Sequence, residues 1–512
     1  MLTKIDLPKF TMKEAGCFSA IFILYLFSYS SILQLDTVKS LLGLGFKTTL
    51  ISIIVYCCIV LIKNNFIKAI TLILFAALYS STLYLNTKFG EISTGIISAT
   101  LDTHPAEAFE YLSSSGISWQ LLMIFPFLYI AKIANSKLMR FNWLVFIPLF
   151  LIAALFARSA YLSEKPAEYL VNILPEIKMV SLVKETFELR ALENKPIHPE
   201  WTEVTHDAND YNYVVIIGES AQKKAFHFYG NTVKTTDEIA DLPGWTVISD
   251  PVSPATQTRY SVIRLLSVND KKETNQNLNI IDLAKMAGMK TYWFSNQGAF
   301  GAHDTPVTRL GKRADETAFH NIGFVKTKND NVLIENLKQG LADNSKKNKM
   351  FFLHTIGSHV DFCQRLEDAN TEVLKGESGN KDIDCYNGTI HQTISFIKEI
   401  QSTLQTANTN YKIIYLSDHG LVDIEEPPYK MHGVGHFFKK EAVEVPLIFI
   451  TDSKDKGKII DKTYYLRDFP HTFAQWTGIS ASQIDLNKSV QSDQLSQESY
   501  VIDHAQEVQF FN

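Results

Sequence analysis

The residues of this chain best suited to chemistry stand in two short segments. In VVIIGES, Glu219 and Ser220 follow directly on a run of β-branched residues; in YLSDHG, Asp418 and His419 stand side by side after a second such run. Two carboxylates and an imidazole brought to one place suit Zn²⁺, which takes oxygen and nitrogen donors tetrahedrally and leaves a fourth position for a hydroxyl or water. Each segment alone has a plainer reading. An Asp-His pair after a strand also serves as a turn or cap, and a glutamate there is an ordinary neighbour of a helix N-cap.

A third segment, VSPATQTRYS, offers hydroxyls at Thr256 and Thr258. A free threonine barely ionises at neutral pH, so phosphoryl transfer through one needs a metal that lowers its pKa and neutralises charge on the phosphoryl oxygens. Taken by itself, this stretch would be a threonine-rich surface turn.

These segments need elements to carry them. From Tyr211 onward, short apolar runs alternate with polar helical stretches: YNYVVIIG, WTVISD, KTYWFSN, KMFFLHTIG, KIIYLSDHG and VPLIFITD. Continuous apolar strands ending in Gly, Ser or Asp predict an α/β domain over 206–512, its parallel or mixed sheet covered by helices and its ligands at the carboxyl ends of the strands. The first part of the chain differs. Apolar runs at 16–35, 44–62, 67–85, 117–131 and 141–162 predict a transmembrane domain of five helices over 1–162, since a helix needs about 20 apolar residues to cross the hydrocarbon. Lys4, Lys9, Lys13, Lys63, Lys68, Lys132, Lys137 and Arg140 fall on one side of these runs, and Lys39, Lys47 and Lys88 on the other. The positive-inside bias therefore puts the N-terminus in the cytoplasm and everything after 162 outside it. Between the domains, 163–205 reads as an amphipathic linker interrupted by Pro175.

A net charge of −5 and the lack of any basic tract give no reason to expect a nucleic-acid partner. Near-absence of charge inside the apolar runs argues against a transporter. Of five cysteines, Cys17, Cys57 and Cys58 lie in apolar runs as packing residues. Cys363 and Cys385 flank a polar loop in the part expected to face an oxidising compartment, so a disulfide between them is expected.

The order IIGES, SPATQTR, FSNQG, HTIGSH, SDHG and MHG resembles the membrane phosphoethanolamine transferases of the alkaline phosphatase and sulfatase superfamily, which include the lipid A modifiers behind polymyxin resistance. The resemblance implies an alkaline phosphatase-like (sulfatase-type) α/β/α sandwich after five N-terminal spans, in the bacterial inner membrane with a periplasmic catalytic domain. It implies Zn²⁺ held by Glu219, Asp418, His419 and Thr258, with Thr258 as the catalytic nucleophile and Thr256 as the fallback. His359, His432 and Asn296 fall on substrate-binding positions, while His354 and His436 read as structural histidines. Thr103, Glu107 and Glu110 lie in an external amphipathic segment that is a candidate for contact with the ethanolamine head.

The implied partners are phosphatidylethanolamine as donor and lipopolysaccharide core, lipid A or periplasmic glucan as acceptor, with the protein a monomer. In lipid A-modifying members two cysteines bracket the nucleophile. Here those positions hold Pro254 and Arg264, which moves the expectation towards core or glucan acceptors. A phosphoglycerol transferase, a sulfatase-like hydrolase of the same fold and a non-catalytic lipid-binding protein are the alternatives. A sulfatase proper needs a Cys or Ser in a C/S-x-P-x-R context, which is absent after Glu219.

Overall fold

The protein is seen in a computed structural model. It describes residues 12–30, 65–89, 92–102, 175–193, 195–207, 210–297, 305–320, 329–360, 362–367, 378–424, 429–433 and 438–510, with scattered positions at 48–64 and residues 125 and 130. Two compact units result: Met1–Ile97 with Leu112–Leu189, and Ser98–Tyr111 with Arg190–Asn512.

In the second unit, strand β1 (Asn212–Gly218, NYVVIIG) is buried at every position. Alternate side chains of a strand point to opposite faces. Tyr213, Val215 and Ile217 accordingly enter one apolar core with Trp293, Phe352, Phe469 and Phe473, while Val214 and Ile216 enter another with Phe351, Ile390, Ile397 and Leu404. A strand with no polar face belongs in the middle of a sheet covered on both sides.

The other strands of that sheet are β2 (Trp245–Val252), β3 (Lys290–Ser295), β4 (Glu316–Phe319), β5 (Lys349–His354), β6 (Tyr411–Ser417), β9 (Leu447–Thr451) and β10 (Lys458–Tyr465), with the small hairpin β7 (Val422–Ile424) and β8 (Tyr429–Met431) lying outside it. The eight strands run in the order β10-β2-β9-β6-β1-β5-β3-β4. β9 is antiparallel to both neighbours, and the remaining pairs are parallel.

Helices cover both faces, giving the three-layered α/β arrangement. On one face lies α7 (Phe469–Thr477), with Phe469, Phe473 and Trp476 in the core. On the other lies α6 (Lys381–Thr406), which buries Tyr386, Ile390, Ile394, Ile397, Ile400 and Leu404 at helical spacing. Asn380 starts α6 by accepting from the Asp382 and Ile383 N–H groups. A disulfide, Cys363–Cys385, joins it to the short helix α5 (Phe362–Glu367).

In the first unit, α1 (Met12–Ser30) packs Cys17, Ile21 and Leu24 against Leu72, Ala76, Tyr79 and Leu83 of α2 (Asn65–Phe89). Within α2, Asn65–Thr87, 23 residues, is long and apolar enough to cross a membrane, its most apolar 18-residue window having mean hydropathy 1.8; α1 has a shorter apolar stretch, Gly16–Leu26. Among the described residues, one helix meets the length and hydropathy of a span where the sequence predicted five. The runs at 44–62, 117–131 and 141–162, with Cys57 and Cys58, lie wholly or mostly outside the described residues. α3 (Pro175–Glu193), inside the predicted linker, packs Met179, Leu182 and Val183 against Leu85, Ile92, Ile96 and Ile97. Its Ile177, Val180 and Phe187 remain exposed.

The disulfide closes a chain segment with a sequence separation of 22 residues. Replacing both cysteines by alanine is expected to lower stability by about 3 kcal/mol, read from the midpoint of denaturant unfolding.

Candidate functional site

Register decides where the functional groups emerge. Gly218 of β1 is paired with Ser417 of β6, Ile217 with His354 of β5, and Ser295 of β3 with His354. These carboxyl ends form one row, so Glu219, Asp418, Thr355 and Asn296 are the next residues out along one edge. No side chain fits at position 218, where a Cβ would stand 2.6 Å from the Tyr415 hydroxyl.

Glu219, Asp418 and His419 are each at most 1% exposed. His419 Nε2 lies 3.2 Å from Glu219 Oε1 and 3.5 Å from Asp418 Oδ2. Thr258, the first residue of α4 (Thr258–Leu266), completes the group. Its hydroxyl donates to Glu219 Oε2 at 3.0 Å and lies 3.3 Å from His419 Nε2. Four donors around a zinc ion with bonds of about 2.0 Å stand about 3.3 Å apart, and these separations agree with that figure.

Two further observations fit a cation. Asp418 Oδ1 accepts from the N–H groups of Ser220 and His419 at 3.2 and 2.7 Å, while Oδ2 is buried with no hydrogen-bond partner among the described residues. His419 Nδ1 lies 2.8 Å from the Gly420 carbonyl. That contact places the ring N–H on Nδ1 when the imidazole is neutral and turns the Nε2 lone pair to the carboxylates.

Charge crowding sharpens the point. Burial, reinforced by ionised Glu219, pushes the Asp418 carboxyl up to about 7. Burial disfavours the His419 cation, but Asp418 and Glu219 outweigh it and lift the imidazole to about 9. Burial also works against ionised Glu219, yet His419 and then His359 hold it well below the ordinary carboxylate range. Without a metal, protons on His419 and Asp418 supply the positive charge the site demands.

The other predicted residues divide. The ligand atoms of His359 and His432 form a second group with Glu219, all within 4.8 Å of one another. The His432 ring centre lies 5.0 Å from that of His419 and 6.2 Å from that of His359. Thr256 is buried, its hydroxyl without a hydrogen-bond partner among the described residues. The Asn296 amide donates to Asp330 Oδ1 at 2.9 Å. His354 lies beneath the site, its Nδ1 3.1 Å from Ser295 Oγ, and burial pulls its pKa down to about 4. Thr103, Glu107, Glu110 and His436 fall outside the described residues.

Several positioning residues were not singled out from sequence. Gln297 Nε2 donates to Glu219 Oε2 and to the Thr355 carbonyl, at 3.0 and 2.9 Å. Its place in FSNQG, beside Asn296, was the available signal. Asp330 accepts from the Ile356 and Gly357 N–H groups at 2.8 and 3.0 Å, fixing a turn that packs on Glu219. At Gly357, φ is +46° and a Cβ would stand 3.0 Å from the Glu219 backbone, so glycine is required. Ser220 has φ 58°, held there by its hydroxyl on Glu219 Oε1 at 2.7 Å and by the Tyr386 hydroxyl, which donates to its carbonyl at 2.8 Å. The Ser253 and Ser261 hydroxyls both donate to the Asp418 carbonyl and tie the Thr258 loop to the centre.

This arrangement matches a known domain type. The sulfatase family model covers residues 211–479, just over half of the chain's 512 residues. The chain belongs to the sulfatase family. Phosphoethanolamine transferase OpgE of Escherichia coli (strain K12) is 31% identical over 291 residues, covering 56% of this chain and 54% of that protein. The chain thus spans about half the length of the curated relatives it matches.

Among solved structures, the integral membrane lipooligosaccharide phosphoethanolamine transferase A (EptA) from Neisseria meningitidis aligns with TM-score 0.65 at 16% identity, over 92% of this chain and 96% of that one. The C-terminal periplasmic domain of EcEptC from Escherichia coli, in complex with Zn, aligns with TM-score 0.51 at 22% identity, over 59% of this chain and 93% of that one. These two likenesses establish the sulfatase-type fold.

Two measurements follow from the geometry. A metal ligand must be deprotonated, and in the metal-free protein Asp418 holds a proton below about 7 and His419 below about 9. Zinc binding to metal-stripped protein is therefore expected to release about two protons at pH 6 and about one at pH 8, with affinity rising across that window. Calorimetry in buffers of different ionisation enthalpy measures this. Gln297→Ala should weaken zinc binding by roughly 10- to 100-fold, the usual effect of removing a partner of a ligand, in a chelator competition titration.

Proposed function

We propose that this chain is a zinc-dependent membrane phosphoethanolamine transferase, moving the group from phosphatidylethanolamine to an envelope acceptor through Thr258. The carrying observation is the placement of the Thr258 hydroxyl within reach of Glu219 and His419 at the start of a helix. The transferase relatives, and the zinc complex of the EcEptC domain, support the reading.

Glu219, Asp418, His419 and Thr258 would hold the zinc, with His359 and His432 facing it. When bound, zinc supplies positive charge that acidifies the threonine hydroxyl and polarises the phosphoryl oxygens. The Thr258 hydroxyl donates to Glu219 Oε2, which orients Oγ1 as the attacking atom as its proton is lost. The start of α4 favours anionic phosphoryl oxygens through its partial positive charge. The Thr258 oxygen forms a bond to phosphorus while the bond to the diacylglycerol oxygen breaks, and that oxygen leaves with a proton as diacylglycerol. His359 and His432, grouped with Glu219, would contact the phosphoryl group or pass that proton. An acceptor hydroxyl or protonated phosphate oxygen then attacks the phosphorus of the threonine-bound phosphoethanolamine, the bond from phosphorus to Oγ1 breaks, and the acceptor's proton returns to Oγ1.

The same reading puts five spans in the bacterial inner membrane over 1–162, the N-terminus in the cytoplasm, a linker over 163–205 and the catalytic domain over 206–512 in the periplasm. Lipopolysaccharide core, lipid A and periplasmic glucan are the acceptor classes, and a monomer suffices because one chain carries all the named groups.

The test is the intact mass of detergent-solubilised protein after incubation with zinc and phosphatidylethanolamine. Wild type is expected to gain one phosphoethanolamine and Thr258→Ala none. A zinc-loaded wild type that stays unmodified would overturn the proposal.

A further inference from the structure

The Thr258 loop is held on two sides, and the outer side is the less expected. It leaves β2 at Val252 and is fixed inwardly by the Ser253 and Ser261 hydroxyls on the Asp418 carbonyl. Outwardly it meets the C-terminal hairpin of β11 (Tyr500–Ile502) and β12 (Val508–Phe510). The Ile502 N–H donates to the Pro254 carbonyl at 2.8 Å, and Ala255 forms a parallel bridge with Ile502.

Side chains continue the contact. Ala255 and Tyr260, on either side of Thr258, pack with Tyr500 and Ile502 in a small apolar cluster separate from the two large cores. Because its buried members come only from the loop and the hairpin, its packing acts mainly between those two pieces. The hairpin is itself anchored. Buried Arg467 donates to the carbonyls of Tyr500, at 2.6 Å, and Glu498, and its guanidinium lies 3.8 Å from the Tyr500 ring centre. Asp503 closes the turn by accepting from the Ala505 and Glu507 N–H groups at 2.8 and 2.9 Å. Glu507 pairs with Lys272, next to Lys271, whose carbonyl accepts from the buried Arg264 of α4 at 2.9 Å. The hairpin is therefore tied to the same helix that begins at Thr258.

We infer that the C-terminal hairpin is a positioning element for Thr258, with Ile502 holding the outer side of the loop so that the hydroxyl stays within reach of Glu219 and His419. The inference rests on the reading of Thr258 as nucleophile. A displacement of about 1 Å at a reacting atom costs on the order of 100-fold in rate, so a hairpin contact can govern turnover without touching substrate.

The test compares Ile502→Ala, which keeps the backbone donor, with Ile397→Ala, a truncation of the same kind in the α6 core away from the loop. The full-length zinc-loaded protein is incubated with phosphatidylethanolamine micelles. Rate of adduct formation, donor concentration at half-maximal rate, zinc content and amide hydrogen exchange over 253–261 are recorded. In Ile502→Ala the rate should fall by more than about tenfold, with half-saturation and zinc content unchanged and exchange over 253–261 accelerated. Ile397→Ala should stay within about twofold of wild type in rate. Equal losses in the two variants, or an Ile502→Ala rate within about twofold of wild type, would overturn the inference. Ile502→Val, a one-methyl truncation, gives the same comparison at smaller amplitude if the alanine variant fails to fold. A wild type that forms no adduct sinks the nucleophile reading alone, because exchange over 253–261 still reports on the hairpin, and unchanged exchange refutes its role.

Discussion

The parallel pairing of β1 with β5 and β6 is the constraint on which the site depends. Ile217 opposite His354 and Gly218 opposite Ser417 put three strand ends in line, so residues distant in the chain leave the sheet at one edge. Backbone hydrogen bonds hold this alignment but would form equally well in a shifted one. A slip of one residue would turn every side chain of β1 to the other face. Because alternate residues of β1 fill two different apolar cores, such a slip would disrupt both. The hydrophobic effect thus fixes the register, and the register delivers Glu219 beside Asp418 and His419.

Placing two carboxylates and an imidazole out of water is unfavourable unless their charges are balanced. The site divides the work between the oxygens of each carboxylate. Asp418 commits Oδ1 to two backbone N–H groups and leaves Oδ2 with no hydrogen-bond partner among the described residues. Glu219 takes Ser220 on Oε1, and Thr258 and Gln297 on Oε2. The nucleophile loop is joined to the same frame through the Asp418 carbonyl, so the carboxylate and the hydroxyl move together. A centre built this way suits a cation, and the sheet decides where its donor atoms stand.

The first unit obeys a different solvent logic. α2 packs one face through Leu72, Ala76, Tyr79 and Leu83, yet Phe66 and Leu74 on its other side are 74% and 65% exposed. A helix apolar all round is stable when its outer face meets lipid rather than water.

Much of this was legible in the sequence because it depends on local pattern. The continuous apolar runs determined an α/β sheet, and the run over 67–85 determined a helix long enough for a membrane, since period and length are properties of contiguous residues. Glu219, Asp418 and His419 could be named because ligands in such sheets follow strand ends. Other features were invisible there. The contact of Thr258 with Glu219 depends on where α4 begins, and the hydrogen bonds of Gln297 to Glu219 and of Asn296 to Asp330 depend on the turn after β3. The contribution of Ile502 rests on a contact between segments far apart in the chain. The sequence by itself determined which residue types were available and which elements would carry them. The tertiary structure alone decided which of them meet, because register and loop packing join distant residues through interactions that no local pattern encodes.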